Sequence, residues 1–220
     1  AGKSTLVREI ARRLAHAGQQ VPIVVQTNDQ GDDLATGLAR MLAGTGLTVG
    51  RLLAGDRAAR STPDLLASAR LDDLLGCSVV VATAAKWAHA QAHVKEPWPI
   101  GIIDEAYQMS SAALVRVGGL FDRLLLVGDP GQLAPFTVAD ERVVRRVATW
   151  PLDTAAGTVL RNHPDTRVVP LPVSWRLPPT ATPVVAEAFY TRPFDAGVKP
   201  GVRRLTFRAS PMPDPVGRVL

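Results

Sequence analysis

Three short stretches of this 220-residue chain carry side chains whose types and spacing suit phosphate chemistry. The first is Gly2-Lys3-Ser4-Thr5. Such a loop lets backbone N–H groups close on phosphate oxygens, its lysine reaches β- and γ-phosphates, and its hydroxyl suits Mg²⁺. The full pattern has an earlier glycine, so these residues read as the second half of a phosphate-binding loop, and the chain is expected to start inside it. The second stretch is Asp104-Glu105, which closes the apolar run Gly101-Ile102-Ile103. Two adjacent carboxylates at the tip of a buried strand are costly to bury unpaired. A metal ion on Asp104 removes that cost and leaves Glu105 to take a proton from an attacking water. The third is Gly128-Asp129-Pro130-Gly131-Gln132, followed by Leu133 and Pro135. Glycine and proline make a sharp exit from a strand, and Gln132 brings an amide to the sheet's carboxyl edge, able to donate to a γ-phosphate and sense its loss. Taken singly, each stretch has a plain structural reading: a helix start, an acidic helix cap, a Gly-Pro turn. Only their combination points to a nucleoside triphosphate.

The elements that must position them follow from hydrophobic periodicity. Leu6, Ile10 and Leu14 form one stripe, with Arg8, Glu9, Arg12 and Arg13 outside it. This predicts a helix running from the loop to Gly18. Apolar runs at 21–26, 77–83, 98–104 and 123–129 predict buried strands, and 32–42 predicts a helix with acids at its N-terminus. Continuous Val/Ile/Leu runs separated by helices predict an α/β fold with a parallel sheet covered by helices on both faces. The alternation holds to about residue 150; proline then thickens, and 195–220 reads as loop or linker.

Composition excludes little. Hydrophobic residues are 46% and charged residues 20%, ordinary for a globular chain. No apolar run approaches the roughly 18 residues of a membrane span, and no leader pattern is present. Cys77 is the only cysteine, so no internal disulfide forms, and its apolar setting predicts an inert buried thiol. A cytoplasmic location is expected. The net charge of +5 suits a polyanionic partner but equally an arginine-rich surface. His89 and His93 have zinc-compatible spacing without a third ligand and read as surface residues. Asp72-Asp73 and Arg145-Arg146 read as solvated helix faces. Trp87, Trp98, Trp150 and Trp175 could stack on bases, although packing is the commoner role.

Together, Gly2-Lys3-Ser4-Thr5, Asp104-Glu105-Ala106-Tyr107-Gln108 and the stretch from Val127 to Pro135 resemble motifs I, II and III of superfamily 1 helicases. The likeness is to the up-frameshift branch, including actinobacterial-type relatives described as AAA or P-loop ATP-binding proteins. Segment 24–35 resembles motif Ia through Asn28, Asp32 and Leu34, and segment 171–190 resembles motif IV through Arg176 and Phe189-Tyr190. The resemblance implies a P-loop NTPase of RecA-like fold. Residues 1–195 would form the first RecA-like domain, and 196–220 a linker toward a second such domain, whose motifs V and VI are not in this sequence. It implies ATP and Mg²⁺ as cofactors. Gly2, Lys3, Ser4 and Thr5 would bind the phosphates, and Ser4 and Asp104 would hold Mg²⁺. Glu105 would activate water, and Gln132 and Arg176 would contact the γ-phosphate. Thr27, Asn28 and Thr83 would touch a single-stranded DNA or RNA backbone. The activity implied is ATP hydrolysis coupled to movement along a strand, with poor turnover by an isolated fragment. Gln26-Thr27 stands where relatives carry small residues or proline, and Trp175 where tyrosine or phenylalanine is common. A P-loop ATPase that switches a protein partner without unwinding, and a nucleotide-binding module without turnover, are the alternatives.

Overall fold

The computed structural model describes residues 2–54, 64–135 and 152–202. Expectations about Arg145, Arg146, Trp150 and the linker beyond residue 202 lie outside them. The chain divides into two compact units, Lys3–Thr166 and a smaller one containing Arg167–Leu220.

The larger unit is a six-stranded parallel sheet in the order β3-β2-β4-β1-β5-β6. Its strands are β1 (Val21–Val25), β2 (Val49–Leu52), β3 (Leu65–Ser68), β4 (Val79–Thr83), β5 (Gly101–Ile103) and β6 (Leu124–Leu126). The helices are α1 (Lys3–His16), α2 (Asn28–Leu42), α3 (Ala84–Ala90), α4 (Ser111–Gly118) and α5 (Ala155–Asn162). Alternate strand residues point to opposite faces. Ile23 and Val25 therefore enter one core with Val7 and Ala11 of α1 and Leu34 and Leu38 of α2. Val24 enters the other with Trp87 of α3, Val117 of α4 and Ala155 of α5. Covering on both faces is the expected arrangement, and it explains why β1 is buried at every position.

Register aligns the strand exits. Val25 pairs with Thr83, Val24 with Ile103, and Ile103 with Leu126. The segments after β1, β4, β5 and β6 therefore leave along one carboxyl edge.

The structure departs from expectation in several places. Strands β2 and β3 were not anticipated: Gly50 and Arg51 interrupt the apolar run of one, and the other is a half-exposed edge strand. Helix α2 starts at Asn28 rather than residue 32, because Thr27 and Gln30 form a capping box ahead of the acids. The strand at 98–104 is shorter, with Trp98 making only an isolated bridge to Phe121 before Pro99.

The smaller unit contains β7 (Val173–Ser174) paired in parallel with β8 (Asp195–Ala196), and α6 (Thr182–Phe189) between them. Strand β8 thus opens the stretch that reads as a linker. Tyr190 and Phe194 meet edge-to-face at 5.1 Å. No helix among the described residues is long and apolar enough to cross a membrane.

Candidate active site

Lys3 is the first residue of α1 and follows Gly2, whose φ of +101° is open to glycine and strained for other residues. The first turn of α1 carries no acid, so its unpaired N–H groups keep their positive end. Ser4 and Thr5 lie exposed in that turn. Lys3 Nζ lies 3.0 Å from Glu105 Oε2, beyond β5, and 3.8 Å from Asp129 Oδ2, beyond β6. Gln132 joins them. With its oxygen toward Lys3, it accepts from Nζ at 3.0 Å and its Nε2 donates to Glu105 Oε2 at 2.8 Å. The opposite orientation takes a bond from Gln108 Nε2 at 3.2 Å but sets amide donor against ammonium, so the hydrogen-bond pattern selects the first. The three charged side chains are 15–28% exposed. A lysine and an amide gathered on one carboxylate at an accessible edge can exchange that carboxylate for a phosphate oxygen.

Asp104 differs from its neighbour in being buried, 8% exposed. Burial pushes its carboxyl above the usual range and the Glu105 charge adds to the shift; the Glu105 N–H, Lys3 and Arg8 pull the other way. The Glu105 N–H donates to Asp104 Oδ1 at 3.0 Å. A buried carboxylate in this state gains most from a nearby cation. The Asp104 oxygens and the Ser4 hydroxyl are hard donors of the kind Mg²⁺ takes, usually with waters and substrate oxygens completing its shell. The residues present fit that ion.

The turn between them is held from both sides. Asp104 N–H donates to Val24 O and Ala106 N–H to Val127 O, both at 2.9 Å. Glu105 is thereby fixed at φ +53°, left-handed backbone that costs a non-glycine residue about 1–2 kcal/mol. Such strain gathers where a side chain must be aimed. Gly128 lets β6 exit against this turn: a Cβ there would stand 2.8 Å from Tyr107 Cδ2 and 3.1 Å from the Tyr107 nitrogen.

The segment after β1 is tied into the same edge. Gln26 Nε2 donates to the Asp104 carbonyl at 3.0 Å. Thr27 caps α2, its Oγ1 accepting from Gln30 N–H at 3.3 Å. Thr83 caps α3 in the same way, accepting from Lys86 N–H. Asn28 Oδ1 accepts from Arg51 Nη2 at 3.2 Å. Thr27, Asn28 and Thr83 thus sit on adjacent strand exits.

The structure therefore brings together Lys3, Glu105 and Gln132, with Asp104 beside Glu105. Arg176 belongs to the smaller unit, exposed just after β7. Three residues of these clusters carry no role in the motif pattern: Asp129 sits within the turn, Gln26 at a position where the pattern departs, and Arg51 outside every motif. A lone arginine inside Val49-Gly50-Arg51-Leu52-Leu53 was the available signal. His89 and His93 are exposed, Cys77 is buried, and Trp87 and Trp98 pack in the core, all as expected, while Trp175 is 61% exposed. The described residues contain no group of three or more His, Cys, Asp or Glu placed to hold a metal. The chain matches no protein-family model and no curated protein.

Proposed function

We propose that this chain is the ATP-hydrolysing core of a nucleic-acid helicase or translocase, a P-loop NTPase domain of RecA-like type. The observation that carries the reading is the meeting of Lys3, Glu105 and Gln132 around one carboxylate at the carboxyl edge of a parallel sheet, the edge where ligands bind in such sheets. Lys3 would exchange Glu105 for the β- and γ-phosphate oxygens. That exchange leaves Glu105 free to take a proton from the attacking water. Gln132, no longer bridging Lys3 and Glu105, would donate to the γ-phosphate. Mg²⁺, held by Ser4 and Asp104, would neutralise charge on the phosphates. Gly2 and Thr5 would add phosphate contacts.

Gln26 supports the coupling half of the proposal, because it joins the Asp104 carbonyl to the strand exit that carries Thr27 and Asn28. Those two residues and Thr83 would meet a single strand. A second RecA-like domain and a cytoplasmic location belong to the same reading.

The test is the ATPase rate of the intact protein with and without single-stranded DNA and RNA, at low and high salt. Stimulation that fades with salt is expected for a motor that tracks phosphates. Turnover indifferent to both polymers would replace this reading with a protein-partner switch. Nucleotide binding without turnover would indicate an inactive module.

A further inference from the structure

We infer that Arg51 is a positioning residue that turns the Asn28 amide so that its NH₂ faces a nucleic-acid phosphate. The inference rests on the functional reading above and names how one of its contacts is made.

Arg51 lies in β2 and is 1% exposed. An arginine is buried this deeply only when its charge and donors are met. Its Nε donates to Asp32 Oδ1 at 2.9 Å. Nη1 donates to the carbonyls of Leu52 and Val81 at 2.9 and 3.3 Å. Nη2 donates to both the carbonyl and the Oδ1 of Asn28, each at 3.2 Å. Helix α2 makes room for the group: a Cβ on Gly31 would lie 2.6 Å from Nη2. The guanidinium therefore ties a strand interior to the first turn of α2, at the residue that follows the Thr27 cap.

The consequence lies in the asymmetry of an amide, which accepts at one end and donates at the other. Arginine has donors only, so it can hold only the Asn28 oxygen. The NH₂ is left at the other end, and among the described residues nothing accepts from it. Asn28 is half-buried at the carboxyl edge. A fixed double donor at that edge suits a phosphodiester oxygen, whereas an amide free to flip would also present its acceptor.

The experiment measures binding of labelled oligo-dT and oligo-U to the full chain without nucleotide. The variants are Asn28→Asp, Asn28→Ala, Arg51→Lys and the double variant Arg51→Lys/Asn28→Ala. Asn28→Asp keeps an oxygen for Arg51 and replaces the outward NH₂ by a second oxygen. It is expected to weaken binding about tenfold or more. Arg51→Lys is expected to weaken binding similarly, and to add nothing once Asn28 is alanine. An undiminished Arg51→Lys effect in the alanine background would overturn the inference, because the effect would not pass through Asn28. Asn28→Asp leaves the Arg51–Asp32 pair in place and decides the case even if Arg51→Lys does not fold. Wild-type binding with no loss in Asn28→Asp overturns this inference alone. No binding of either polymer by the wild type overturns the functional reading and this inference with it.

Discussion

Two charged clusters share the carboxyl edge of one sheet and are built on opposite terms. Around Arg51 the groups are dry and matched: the arginine and Asp32 are 1% and 7% exposed, and every guanidinium nitrogen has an acceptor. Around Lys3 the groups are wet and strained. The charges keep 15–28% exposure, Glu105 sits in left-handed backbone, and burial raises Asp104. A closed cluster holds a shape, because breaking it leaves charge stranded in a medium of low polarity. An open one can trade partners at little cost. The difference separates a part suited to holding a shape from a part suited to exchanging partners.

The comparison breaks first at Glu105. Glu105→Gln keeps the hydrogen-bonding shape and removes the base, so turnover should fall on the order of 10²–10⁴-fold in a steady-state assay while nucleotide still binds. Undiminished hydrolysis would remove Glu105 from the reaction. Next is Arg51→Met, which removes the buried donor to Asp32 Oδ1 and to the Asn28 and Val81 oxygens. Chemical denaturation should show a loss of about 3–5 kcal/mol, and a loss below about 1 kcal/mol would mean the pair is not closed in solution.

Asp104→Asn should act with the opposite sign. The folded carboxyl titrates above its unfolded value, so its cost to stability sets in as the pH rises through the unfolded range near about 4, is complete above the folded value, and is absent below both. Asparagine keeps the acceptor for the Glu105 N–H. The variant should melt a few degrees above wild type at neutral pH, with the gap closing in acid, and should lose activity. A lower melting temperature at neutral pH would contradict the assigned burial cost. The smallest effect is expected for Lys3→Met, whose partly exposed pairs are worth about 1 kcal/mol to the fold. Its melting curve should nearly overlay that of the wild type.

The layered fold was legible because β1, β4, β5 and β6 are runs of Val, Ile and Leu, and such runs need cover on both sides. Strand β2 was not, because Gly50 and Arg51 break its pattern; the arginine is there to bond with α2, a partner no local window contains. Lys3, Glu105 and Gln132 were legible through spacing and glycine context. The part of Asp129 was hidden, since its 3.8 Å approach to Lys3 depends on β5 and β6 lying side by side. The start of α2 was misread because the acids at 32–33 outweighed the subtler pairing of Thr27 with Gln30.

The central claim is that the Lys3 cluster takes the phosphates of a nucleotide. Calorimetric titration of the full chain with Mg·ATP, beside Lys3→Ala and with melting curves for both, tests it most directly. The account predicts saturable binding by the wild type and binding weaker on the order of tenfold or more in the variant, at nearly equal stability. Equal affinity in the two proteins, or none in the wild type, would contradict it.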